Sequence, residues 1–180
     1  MILICSNINM KYIVIFILFL ISITRNHAVE TPFPSTIKVL NKTYNLIGSG
    51  LLEYSIFKID VYKIAFYKAL KSDCSLLKII YEMDIEKKLS NEGWEEGLKK
   101  NLKKEYDLYK KELKWIKEKT PNLKEKDQLI ILRKDNMGLF IVNKKIIAKT
   151  EEKNISKLLH LPWLGPNPID EDLKKSLLGK

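Results

Sequence analysis

At 180 residues the chain has room for one domain, and 46% apolar residues are enough to bury a sizeable core. The net charge of +10 sits in a composition rich in Lys, Ile, Leu and Asn, which reads as codon bias, and a lysine-rich solvated surface requires no nucleic-acid partner. Two cysteines and two histidines give no convincing zinc, iron–sulfur or Cys-His spacing, so neither a metal nor another cofactor is expected.

Lys11 precedes an uninterrupted apolar run, Tyr12–Thr24, that breaks at Arg25-Asn26-His27-Ala28. A basic start, a short apolar stretch and a small residue at the cut describe a secretory signal covering residues 1–28, with Met10 as a workable start. At 13 residues the run is short of the roughly 18 that a spanning helix needs. An uncleaved anchor through residues 12–24 is the alternative. The mature chain, 29–180, then carries 30 basic against 22 acidic residues, a charge of +8. It is expected to be periplasmic in a two-membrane bacterium and otherwise secreted. Cys74 is its single cysteine, so no internal disulfide is expected and the thiol reads as a small buried apolar group.

Thr31-Pro-Phe-Pro34 is an extended lead-in. Ile37–Leu40 and Tyr44–Ile47 flank Asn41-Lys42-Thr43 as a hairpin, and Gly48-Ser49-Gly50 reads as a break. Asn41-Lys-Thr43 and Asn154-Ile-Ser156 are also glycosylation acceptor patterns, meaningful only in a eukaryotic secretory pathway. Ile56–Tyr67 alternates as a long strand, and Leu76–Tyr81 is another. From residue 86 the period changes. Trp94, Leu98, Leu102, Tyr106, Tyr109, Leu113 and Ile116 form one apolar stripe of a helix, or of two consecutive helices, ending at Pro121. Lysines crowd its other face over 99–119. They offer a peripheral contact for anionic lipid or an acidic partner, but Glu95, Glu96, Glu105, Asp107 and Glu112 interrupt them, as on an ordinary solvated face.

Leu129–Leu132 and Leu139–Val142 flank the turn sequence Asp135-Asn136-Met137-Gly138, and Ile146–Ala148 follows the Asn143-Lys144 turn. Ile155–Leu161 and Glu171–Leu178 close the chain as short helices. Strands, helices, strands and helices in that order predict an α+β protein with an antiparallel sheet.

Four segments carry a resemblance. Leu46-Ile-Gly48-Ser-Gly50-Leu-Leu52 resembles a Gly-x-Gly-x-Arg opening, and Phe57-Lys-Ile-Asp-Val61-Tyr62-Lys-Ile-Ala65-Phe66-Tyr67 a long central strand. Gly93-Trp94-Glu-Glu-Gly97-Leu98-Lys-Lys-Asn101 starts the helical region, and Trp163-Leu-Gly165-Pro-Asn-Pro168, followed by Asp170-Glu-Asp-Leu173-Lys-Lys-Ser-Leu177-Leu-Gly179, closes the chain. In order and wording these are similar to the chalcone isomerase-like family, in particular its exported bacterial branch, over residues 35–179. The resemblance implies an open-faced β-sandwich: a long antiparallel sheet packed against a layer of helices, with a cleft between them.

Members of that family divide into enzymes that cyclise chalcones to flavanones and non-catalytic relatives, some of which bind fatty acids. Cyclisation drives negative charge towards a carbonyl oxygen and needs a fixed donor or cation there. The family's arginine falls on Leu52, its central-strand threonine on Tyr62, and Asn91 is the nearest amide to its helix-start pair. The resemblance therefore implies a non-catalytic binder of a small apolar, weakly acidic ligand such as a fatty acid. An isomerase (intramolecular lyase) of unknown substrate and an envelope interaction factor stay open as alternatives. Tyr62 and Tyr67 are the candidates for a ligand carboxylate, Trp94 for lining the cleft, and Lys58 and Lys63 for the missing cation. For each the plain alternative is packing or solvation, and Trp163 reads as an anchor for the C-terminal helix.

Overall fold

The computed structural model describes residues 32–54, 59–70 and 72–180, and one compact unit spans Phe33–Lys180. The signal expected over 1–28, Lys58 and the start of the strand expected at Ile56 lie outside the described residues.

Seven strands pair in chain order as one antiparallel meander: β1 (Thr36–Val39), β2 (Lys42–Tyr54), β3 (Ile59–Ala69), β4 (Ser75–Tyr81), β5 (Gln128–Lys134), β6 (Met137–Val142) and β7 (Lys145–Thr150). Two-residue turns join several of them. Leu40-Asn41 and Asn143-Lys144 both take positive φ at each position, the backbone twist that tight hairpins prefer. The first hairpin thus turns earlier than Asn41-Lys42-Thr43, and Lys42 and Thr43 already pair with Val39 and Lys38.

Between β4 and β5 the chain forms α1 (Lys87–Leu102), a 3-10 helical segment (Lys103–Tyr109) and α2 (Lys110–Lys119). The single apolar stripe is therefore split between two helices, with Trp94, Leu98, Leu113 and Ile116 buried on one side. α2 stops where Thr120 turns its hydroxyl back onto the Ile116 carbonyl at 2.8 Å, ahead of Pro121. After β7 come α3 (Lys153–Leu158), α4 (Leu161–Leu164) and α5 (Glu171–Leu177). The helix expected over Ile155–Leu161 is two helices, because the chain turns at Leu159-His160 to drive His160 into the core. Asp170 caps α5 by accepting from the Leu173 amide at 2.7 Å.

The Gly48-Ser49-Gly50 stretch does not break the strand. β2 runs through it with a bulge between Leu46 and Gly48. The glycines serve packing. A Cβ on Gly48 would strike the Ser176 and Leu177 carbonyls, and one on Gly50 would lie 2.6 Å from Leu173 Cδ1, so α5 beds directly on β2. The two other family-like segments meet in the same manner. Gly97 of α1 leaves room for Pro162, and Asn101 reads the C-terminal segment with both ends of its amide. Its Nδ2 donates to the Leu161 and Asn167 carbonyls at 3.1 and 2.7 Å, and its Oδ1 accepts from the Asn167 amide at 3.0 Å.

Strand alternation sorts the core into two clusters. Tyr62, Ile64, Phe66, Leu77, Ile79, Leu129, Ile131 and Phe140 face the helices and pack on Trp94, Leu98, Ile116, Leu159 and Trp163. Ala65, Tyr67, Leu76, Leu132, Leu139 and Ile141 form the opposite face, with Tyr44 and Phe33.

Candidate functional site

The layer between sheet and helices has two unlike ends. At one, Leu52 pairs with Tyr62, and Tyr62 with Tyr81. The two tyrosine rings meet edge-on at 5.7 Å, and the buried Trp163 indole donates to the Tyr62 hydroxyl at 2.8 Å. Trp94 stands 5.2 Å from Trp163 and stacks 6.0 Å from Phe140. Burial drives the phenol pKa of both Tyr62 and Tyr81 well above the ordinary value, so both stay neutral. This end holds aromatic rings where a cyclase would hold charge. Leu52 adds another apolar group to the cluster.

Tyr62 and Tyr67 do not converge. Their odd spacing on β3 sends them to opposite faces, and Tyr67 donates its hydroxyl to the Pro34 carbonyl at 3.0 Å. Burial pushes the Tyr67 phenol up to about 12. Trp94 packs in the aromatic cluster beside Tyr62's partner, Trp163. Lys63 also leaves the helix-facing side: it pairs with Glu82 at 3.1 Å, so it does not replace the missing arginine. Asn91 lines a separate groove of about 490 Å³ bounded by α1, the 3-10 segment and α2, where Lys117 and Glu95 form an ion pair at 2.8 Å.

At the other end, six residues along β3 and roughly 20 Å from Tyr62, a cross-strand row brings Lys68, Ser75 and Arg133 side by side on the helix-facing side. Here the layer opens into a cleft of about 320 Å³. Phe66, Leu161, Leu164 and Leu178 supply its apolar lining; Lys157 from α3 joins Lys68 and Arg133 at its polar side, with Asp73 the acid among them. Lys68 Nζ sits 5.6 Å above the Phe66 ring, a distance at which cation and ring attract.

His160 closes the inner wall of this cleft. Its Nε2 lies 3.0 Å from the Ile131 carbonyl, which only accepts, so Nε2 carries the proton and Nδ1 accepts from Ser75 Oγ at 3.4 Å. Burial holds the imidazole neutral, lowering its pKa to about 4; the Ile131 carbonyl opposes this and the nearby Arg133 assists it. A hydroxyl facing an imidazole is the layout of a nucleophile and its base, but a base this weak at this distance fits a fastening better. Both ring nitrogens tie the α3–α4 turn to β4 and β5.

Sequence reasoning passed over this cleft, though one signal was present. The chain has two arginines, Arg25 and Arg133, against 30 lysines. In a composition that avoids arginine, the one among the described residues stands at this opening.

An antiparallel sheet with helices on one face and a cleft at their junction defines an open-faced sandwich. The sequence profile of the chalcone isomerase-like family matches residues 26–179, and the chain belongs to that family. Among solved structures it is similar to a fatty-acid binding protein of Arabidopsis thaliana, with a TM-score of 0.65 at 12% identity, over 82% of this chain and 91% of that one. At that identity the likeness concerns the fold. No curated protein sequence matches the chain.

Proposed function

We propose that the protein is an exported, non-catalytic binder of a small apolar ligand such as a fatty acid, held where the sheet and helices part. The observation that carries this reading is the asymmetry of the layer: aromatic packing at the Leu52–Tyr62 end, an open cleft with an apolar lining at the Phe66–Leu161 end. Ligand sites are mostly apolar with a few placed polar groups, and run from about 300 to 1,000 Å³. A cleft of about 320 Å³ suits a small ligand or the leading part of a longer one. The Arabidopsis relative, described as a fatty-acid binding protein, lends support through the shared fold.

Catalytic cyclisation has little to work with at the family's usual position. Leu52 offers no charge, and the Tyr62 hydroxyl is engaged by Trp163. Losing one such donor costs about 100- to 1,000-fold in rate. Export rests on the apolar run over residues 12–24, and N-terminal sequencing of the exported chain is expected to begin close to residue 29.

Native mass spectrometry of the purified protein, followed by denaturation and lipid extraction, tests the binding. The expected result is a stoichiometric adduct of a fatty acid or similar amphiphile. An unadorned mass, with no uptake of added fatty acids, overturns the reading and favours an interaction role.

A further inference from the structure

We infer that Lys68, Arg133 and Lys157 form a headgroup site for the carboxylate of an amphiphilic acid, at the end of the sheet opposite the family's arginine position. This rests on the cleft being the ligand site. It adds which end of the ligand faces out, and its charge.

The three cations come from β3, β5 and α3 and converge on one concavity. Ion pairs are common on this surface, yet none among the described residues engages Lys68, Arg133, Lys157 or the neighbouring Asp73. Three positive groups against one negative leave a net attraction for an anion. Arg133 is half-buried and is the one arginine among the described residues. Its planar fork grips a carboxylate through two parallel hydrogen bonds, which a lysine cannot do. His160 adds no charge, because burial keeps it neutral.

The hydroxyls sort in the same direction. Ser75 spends its proton on His160, whereas Ser72 accepts from Lys42 Nζ at 2.9 Å and from the Cys74 amide at 3.4 Å. Both lone pairs of Ser72 are thereby used, and its proton remains available to an acceptor in the cleft that it lines. Behind these groups, Phe66, Leu161, Leu164 and Leu178 offer only carbon. An anionic head over an apolar tail fits both halves.

Calorimetric titration of the full chain with decanoate, decanol and decyl phosphate tests this, with Arg133→Gln and the Lys68→Gln/Lys157→Gln pair as variants. Decanoate is expected to bind at least tenfold more tightly than decanol, and to weaken as salt is raised. Arg133→Gln is expected to lose about tenfold for decanoate, the usual worth of a charge-assisted bond, with decanol unaffected. Thermal unfolding of the variants checks that the fold is intact. Equal binding of decanoate and decanol, unchanged by either variant, overturns the headgroup site while leaving an apolar-ligand protein. Tighter binding of decyl phosphate than of decanoate overturns the assignment to a carboxylate. If no amphiphile binds, the cleft is not a ligand site and both readings fall.

Discussion

The two ends of the sheet–helix layer share strands, helices and a single apolar cluster, yet they have opposite chemistry. At the Tyr62 end the contacts are internal: the indole of Trp163 meets the phenol of Tyr62, and rings cover rings. At the Lys68 end Ser75 and the Ile131 carbonyl are answered by His160, while three cations share the cleft with the single acid Asp73 and form no ion pair among the described residues. Six residues of one strand separate a plug from a mouth.

The sharpest way to break the contrast is to remove the plug. Trp163→Ala deletes a buried aromatic and strands the Tyr62 hydroxyl, and is expected to cost about 3–5 kcal/mol in urea unfolding. Acid should loosen the mouth instead. His160 has a folded pKa of about 4 against an ordinary 6.5, so the unfolded chain takes up the proton first. Its contribution is complete above pH 6.5 and is lost as pH falls towards 4, about 3 kcal/mol in all. Unfolding free energies measured between pH 7 and 4 should fall more steeply for the wild type than for His160→Gln; parallel slopes would remove His160 from the account. Tyr62→Phe leaves the Trp163 N–H buried without a partner and should cost about 1–3 kcal/mol with no effect on decanoate affinity. Lys63→Ala, on the far face, removes a partly exposed ion pair and should change stability by no more than about 1 kcal/mol.

Much of this was legible in the residues. The period change near residue 86, the Asn143-Lys144 turn and the strands around Asp135 all follow from side-chain spacing and turn chemistry. The resemblance to the chalcone isomerase-like family rested on segments that the structure brings into contact: Asn101 against Gly165 and Asn167, and Gly48 against Ser176. Those glycines answer neighbours distant in sequence, which is why Gly48-Ser49-Gly50 read locally as a break and is globally a seat for α5. Tyr62 and Tyr67, both candidates for a ligand carboxylate, stand at an odd spacing on one strand and therefore point to opposite faces. His160 was opaque for a different reason. Nothing near it in the chain announces that Ser75 and Ile131 will lie beside it.

The amide of Asn101 has a temporal meaning as well. The meander of strands joins neighbours in the chain, and such pairings close quickly, whereas contacts across long loops form late. Asn101 spans to Leu161 and Asn167, separations of 60 and 66 residues. The last turn of α1 thus gains these bonds only once the chain beyond residue 167 is in place, whereas Trp94, Leu98 and Ile116 pack on sheet residues that precede residue 161. Three carbonyl and amide groups near the carboxyl end thus close on one asparagine from the middle of the chain.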